Sequence, residues 1–325
     1  AALNGGANNL GVATLQEGIE LRRAGFDCPI LLLGNLTNFN ELSTCFHWDL
    51  MPTLSSVREA WLCQNLAEGA GKKFKIHLKV DTGMTRLGCD LKDALALFNT
   101  INSLDNLDLK GVYSHLALAD AELKDDNTFI NDLQHQRFQK LISSLPAQEK
   151  SFCFHLANSA ATIRNQYFHY NMVRVGLALY GYSPIEHSHE GLILQPAMSV
   201  KARVSLERVV PAGTGVGYGH TFITKRESRL AVVGIGYADG VSRALSGKIS
   251  VLCNGSFLPQ VGSIAMDQLV IDITDHPEIK VGNIVTLLGQ EGSYSVSPRQ
   301  WSDLSGSIPW EILCGFKNRL PRIVV

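Results

Sequence analysis

The sequence predicts an α/β protein: a (β/α)8 TIM-type barrel with its first strand apparently missing, then a mostly β domain. Three observations carry this. Short apolar runs alternate with amphipathic stretches through the first half. Polar residues gather at the C-terminal ends of those runs. After about residue 197 the spacing changes to closely set runs separated by Gly, Pro and Asp turns. The expected boundaries are 1–190 for the barrel and 191–325 for the β domain, with 183–196 as the connection.

The runs are LGVAT (10–14), PILLLG (29–34), DLMPTL (49–54), FKIHLKVD (74–81), LKGVYSHLA (109–117), SFCFHLA (151–157) and MVRVGLALYG (172–181). They are near-continuous in apolar residues, as strands of a parallel sheet covered by helices are. Between them, spacing such as Leu91, Ala94, Leu95 and Phe98 predicts helix. Seven such strands are one short of a closed eight-stranded barrel. The opening AALNGGANN looks like a helix end, so a first strand is expected upstream. An open doubly wound sheet is the alternative. In the second half, VKARVSLERVV, LAVVGIGYADG, ISVLCNG, LVIDITD and NIVTLLGQ predict antiparallel strands.

Composition excludes several classes. Apolar residues make up 45%, charged residues 18%, and the net charge is -1. Such balance gives no pull toward nucleic acid or anionic membranes. No run approaches the ~20 apolar residues that span a bilayer. The seven cysteines are scattered and never spaced as CxxC, which argues against a disulfide framework or structural zinc and fits a reducing cytoplasm.

The polar residues at the run ends are candidates for chemistry, because catalytic groups of such barrels come from the ends of several strands. Asn35, Lys79, Asp81, Arg86, His115, Asn158, Ser159, Arg174 and Gly176 all lie there. Asn158–Ser159 can cap a helix, whose N-terminus also suits a phosphate; plain capping is the commoner case. Arg174 sits inside a run and needs a partner, either a carboxylate or a ligand. His115 reads first as a core histidine. Tyr218 lies between Gly217 and Gly219, so its ring either packs at a turn or is held out for use.

At these residues the sequence resembles alanine racemase, a fold-type III pyridoxal-phosphate enzyme. The matching strings are LGVATLQEGIELR (10–22), LKVDTGMTRLG (78–88), YSHLALAD (113–120), HLANSAA (155–161) and VRVGLALYG (173–181). They continue with GVGYGHTF (215–222), IGYADGVSR (235–243), VGSIAMDQ (261–268) and ILCGFKNRLPR (312–322). Nine strings in the family's order, over both halves, are specific.

The resemblance implies racemisation of L-alanine to D-alanine by a two-base mechanism, supplying D-alanine for peptidoglycan in the cytoplasm. It implies the cofactor pyridoxal 5'-phosphate, a small amino-acid substrate and a homodimer with shared active sites. By motif, Tyr218 is one catalytic acid/base, and His115 links it to Arg174, which faces the pyridine nitrogen. Asn158, Ser159 and Gly176 cradle the phosphate. Arg86 meets the ring hydroxyl and the substrate carboxylate, braced by Lys79 if that lysine is carbamylated. Tyr237 and Met266 line the substrate entrance, and β-domain core is their plainer alternative. Asp267, beside Met266, serves hydrogen bonding in a turn.

Two departures stand out. The family's cofactor-binding lysine lies in a motif of the KANAYGHG kind, which no string here matches, so this chain alone is expected not to be competent. Trp310 stands where the family usually has a phosphate-binding tyrosine, and an indole N–H donates but does not accept. The competing readings are a racemase of another small amino acid, a truncated inactive cofactor-binding chain, and a single-domain cofactor-binding barrel. The last lacks the GYGHTF tyrosine that this chain has.

Overall fold

The computed structural model describes residues 1–121, 125–146, 152–185 and 191–325. The middle of the expected connection, 186–190, lies outside the described residues. The chain divides into two compact units, Ala1–Leu194 and Gln195–Val325.

In the first unit, strands β1 (Leu10–Val12), β2 (Ile30–Asn35), β3 (Met51–Leu54), β4 (Phe74–Asp81), β6 (Leu107–Tyr113) and β7 (Cys153–His155) form one sheet in that order. The short β5 (Cys89–Asp90) pairs with β4. Every pairing is parallel. Helices α1 (Leu15–Arg23), α2 (Phe39–His47), α3 (Val57–Gly69), α4 (Leu91–Asn102), α5 (Asp125–Ser144) and α6 (Ser159–Arg164) fill the crossovers and follow β7. Sequential order with right-handed crossovers steps one way round and keeps the helices on one face. A doubly wound sheet would reverse at a switch point. The barrel-type expectation is therefore correct, and the open alternative is wrong.

Local signals explain the helix starts. Thr14 caps α1 and Ser56 caps α3, each with a reciprocal glutamate, Glu17 and Glu59. Asn38 caps α2 through the Glu41 N–H. At the chain start, Ala7 N–H donates to Ala2 O and Gly6 N–H to Leu3 O, with Gly6 at φ +100. That is the bonding of a helix end closed by a left-handed glycine.

One expectation needs correction. The run at 172–181 is not a strand. It makes a single bridge, His155 to Met172, and then a 3-10 turn, Leu177–Tyr180. Its backbone donors go elsewhere: Arg174 N–H to Ala157 O, and Gly176 N–H to the Ser159 hydroxyl. Arg174 accordingly lies on an extended segment beside β7, not inside a strand.

The two-residue period of β4 sorts its side chains. Ile76, Leu78 and Val80 join the core with Leu32, Leu54, Val112 and the inner faces of the helices. His77 and Lys79, equally buried, alternate with them and point the other way. Thr53, Tyr113 and His155 do the same on β3, β6 and β7. The sheet thus has an apolar face under the helices and a polar network on the opposite face.

The second unit is antiparallel throughout. Its strands are β8 (Val200–Val210), β9 (Gly215–Val216), β10 (Phe222–Ile223), β11 (Ser228–Val233), β12 (Ser250–Cys253), β13 (Ser256–Val261), β14 (Leu269–Asp272), β15 (Ile284–Glu291) and β16 (Tyr294–Val296). The order β12-β13-β14-β11-β8-β15, with β12 also pairing β15, closes on itself. Closure removes the exposed edges that such short strands would otherwise present. Its core includes Val204, Ala231, Val251, Leu258, Ile271 and Leu287. Helices α7 (Pro298–Ser305) and α8 (Pro309–Gly315) follow. All seven cysteines are free. Among the described residues no helix is long and apolar enough to cross a membrane.

Candidate active site

Arg174 organises the site. Its Nη1 lies 2.7 Å from His155 Nδ1. Its Nη2 donates to Ser114 O at 2.7 Å and Leu156 O at 3.1 Å, and lies 3.1 Å from His115 Nδ1. The guanidinium also stands over the Tyr113 ring, 5.0 Å from its centroid. None of these partners is a carboxylate, so the salt-bridge reading of Arg174 is wrong.

These contacts fix the imidazole protons. Guanidinium only donates, so His115 Nδ1 and His155 Nδ1 must both be bare acceptors. The proton of neutral His155 is then on Nε2, 3.0 Å from His77 Nδ1. That nitrogen must accept, which leaves the His77 proton on Nε2. His115 likewise carries its proton on Nε2, as a donor still available. Burial, then the charge of Arg174, holds these rings neutral. It pushes His77 and His115 down to about 3 and His155 well below the ordinary histidine value.

His77, His155 and Cys153 have ligand atoms within 4.8 Å of one another. A metal-bound imidazole normally donates its other N–H to an acceptor. His155 Nδ1 faces a donor instead, so the geometry makes a hydrogen-bond relay rather than a metal site. Packing permits the relay because residue 111 is glycine: a Cβ there would lie 2.6 Å from His77 Nδ1. Sequence reasoning missed His77 and His155. The available signal was their place at alternate positions, His77 with Lys79 on β4.

Lys79 is buried, with its Nζ 5.3 Å from the Tyr113 ring centroid. Burial, then Arg174 and Arg86, lowers its pKa to about 8. Arg86 itself is exposed on the loop after β4. Asp81 Oδ1 shapes that loop by accepting from the N–H groups of Gly83, Met84 and Thr85. Lys79, Arg86, His115 and Arg174 are thus brought together.

Asn158 caps α6 through the Ala161 N–H at 3.0 Å. Ser159 Oγ accepts from Gly176 N–H at 2.8 Å, so Asn158, Ser159 and Gly176 form one cluster. A Cβ at Gly176 would meet nothing within 4 Å, which leaves open space there. At the ends of β2 and β3, Asn35 Oδ1 and Ser55 Oγ are buried without partners among the described residues. Open space at the cluster and orphaned polar atoms on the same sheet end fit a polar ligand such as pyridoxal phosphate.

In the second unit, Gly217 and Gly219 have φ of 67° and 72°, and Tyr218 between them is 74% exposed. The ring is held out rather than packed. Tyr237 and Met266 are 43% and 53% exposed, so they are not β-domain core. Trp310 lies in the first turn of α8 and is partly exposed. Asp267 does not stay within its turn: it pairs with Arg319.

Comparison with known proteins gives one family. Residues 1–184 match the family model described as alanine racemase, N-terminal domain, and 197–324 match alanine racemase, C-terminal domain. An alanine racemase of Prochlorococcus marinus is 61% identical over all of this chain and 84% of its own length. One from Synechocystis is 47% identical over all of this chain and 86% of its own. The crystal structure of an alanine racemase from Bartonella henselae with covalently bound pyridoxal phosphate superposes with a TM-score of 0.86. It is 32% identical, over 99% of this chain and 86% of that one. Alanine racemase from Streptomyces coelicolor gives 0.90 at 30% identity, over 99% of this chain and 85% of that one.

Proposed function

The chain belongs to the alanine racemase family, and on that premise we propose that it interconverts L- and D-alanine with pyridoxal phosphate through the residues described above. The observation that carries this is the Arg174 fork, set at the strand ends between His115 and His155. Pyridoxal phosphate, when bound, supplies an electron sink that acidifies the Cα–H of an amino acid. The protein supplies the rest. Residues 1–190 form the cofactor domain, in which Asn158, Ser159 and Gly176 hold the phosphate with help from the Trp310 N–H. Arg174 offers only donors, so toward a cofactor ring nitrogen it would favour the unprotonated form and a weaker sink. A weak sink favours return of the proton over side reactions.

Tyr218 moves the proton on one face of the substrate. A phenol acts as a base only when its anion is stabilised. The fixed Nε2–H of His115 has the right polarity for that. Arg86 takes the substrate carboxylate. Lys79, with its pKa near 8, is partly neutral at neutral to mildly basic pH. Only a neutral amine adds carbon dioxide, giving a carbamate and a released proton, so Lys79 can become the anion that braces Arg86. The same reading places the protein in the cytoplasm, where D-alanine serves peptidoglycan synthesis.

The test is D-alanine formation from L-alanine by the full-length protein with pyridoxal phosphate. Turnover of serine or lysine without alanine would overturn the substrate. The reading also implies a homodimer in which the β domain of one copy, residues 191–325, completes the barrel site of its partner. Mixing a Tyr218→Phe variant with an Arg86→Ala variant should then restore some activity. A monomer in sedimentation, with no restoration on mixing, would refute the shared site.

A further inference from the structure

Tyr237 and Met266 sit on two touching loops of the second unit. Tyr237 N–H donates to Ala265 O and Ala238 N–H to Met266 O, both at 3.0 Å. A Cβ at Gly236 would lie 2.3 Å from Ala265 O and 2.4 Å from Met266 O, so the backbones meet there because the residue is glycine. Asp239 closes the first loop from within: its Oδ2 accepts from Gly236 N–H at 2.9 Å. Its Oδ1 faces Arg319 Nε at 3.5 Å. Arg319 Nη2 donates to Asp267 Oδ1 at 2.6 Å. One guanidinium therefore touches a carboxylate in each loop. Asp239 is two residues past Tyr237, and Asp267 directly follows Met266.

The second loop also holds the catalytic tyrosine. Ser263 Oγ donates to Tyr218 O at 2.9 Å, and Thr221 Oγ1 lies 3.3 Å from Ser263 Oγ. Arg319 thus terminates a chain of contacts that runs through both loops to the turn of Tyr218. Arg319 and Asp267 have side chains 50% and 57% exposed. Exposed ion pairs contribute about 0–1 kcal/mol to stability. Fold stability is therefore a weak reason for the Asp267 contact, and position is a better one; Asp239, its side chain 9% exposed, is the buried end of the arrangement.

We infer that Arg319 is a positioning residue that sets the spacing of Tyr237 and Met266, and with it the substrate selectivity of the site. This rests on the proposed racemase reading, in which those two side chains meet the substrate. Arginine suits the task because Nε and Nη2 lie along one edge of a rigid plane and reach two acceptors at once. Lysine offers a single point.

The experiment compares Arg319→Gln, Arg319→Lys and the parent full-length protein with alanine and with serine. Arg319→Gln should raise the alanine KM about fivefold, the factor that corresponds to losing an exposed pair of this kind, with kcat within about twofold. Its alanine-over-serine preference should narrow, and Arg319→Lys should recover part of both. Added salt should raise the parent KM toward that of Arg319→Gln while leaving the variant unchanged, because exposed pairs are screened. Unchanged KM and selectivity in Arg319→Gln would overturn the inference. So would a fall in kcat that follows a lower melting temperature and is not recovered by lysine. If the parent itself does not racemise alanine, the proposed function fails instead.

Discussion

Replacing Arg174 by leucine should abolish most turnover while making the first unit more resistant to acid. Turnover falls because a preorganised donor aimed at developing charge is worth about 10²–10³ in rate, and Arg174 is the donor through which His115 and His155 are held. Arg174→Lys keeps the charge but cannot reach His155, His115, Ser114 O and Leu156 O together, so it should recover little. Acid resistance changes in the other direction for an electrostatic reason. After burial, the Arg174 charge is the next cause of the low proton affinity of His77, His115 and His155. Without that cation the native rings take protons more readily, closer to the unfolded chain. The protons taken up on unfolding then decrease, and the acid midpoint moves to lower pH. Steady-state kinetics and acid titration of the same variant check both halves. Loss of activity with an acid midpoint that rises would show that Arg174 acts mainly as a structural prop.

Much of the fold was legible because buried parallel strands advertise themselves. PILLLG is apolar on nearly every residue and FKIHLKVD on every second one, and the end of the latter locates Lys79 and the Arg86 loop. The run at 172–181 looks the same but behaves differently. Val175, Leu179 and Tyr180 are exposed, and its N–H groups find a hydroxyl and one strand-end carbonyl rather than a ladder. Apolar composition alone cannot report whether a strand has partners. Tyr218 was legible through its two glycines, whose positive φ values hold the ring out. The relay of His155 and His77 was not, because it depends on β4, β6 and β7 lying side by side with glycine at 111. Arg319 was hidden for the same reason: its partners lie 52 and 80 residues away in sequence.

The relay also sets how the first unit responds to acid. In the native state His77 and His115 take protons only near pH 3, and burial with the Arg174 charge holds His155 well below the ordinary value of 6.5 as well. Between about 3 and 6.5 the unfolded chain therefore binds more protons than the folded one, so stability must fall as pH falls through that window. Above about 7.5 both states hold the rings neutral, and these residues leave stability flat. Three rings give a limiting slope of about 4 kcal/mol per pH unit, and a loss of about 6 kcal/mol on going from pH 7.5 to 5. Domains are stable by about 5–15 kcal/mol, so the first unit should open near pH 5 or somewhat below. Protonation is cooperative in structural terms too. His155 Nδ1 and His115 Nδ1 can be protonated only by giving up their bonds to Arg174. Denaturant titrations at pH 7.5, 6.0 and 5.0, read by hydrogen exchange in β4 and β6, measure the slope for this unit separately from residues 195–325. His77→Gln keeps an acceptor for the His155 N–H and removes one titrating ring, so it should reduce the slope by about a third. A stability that changes by less than about 1 kcal/mol between pH 7.5 and 5.0 would mean the three rings are not held neutral, and the tautomer assignment around Arg174 would fall with it.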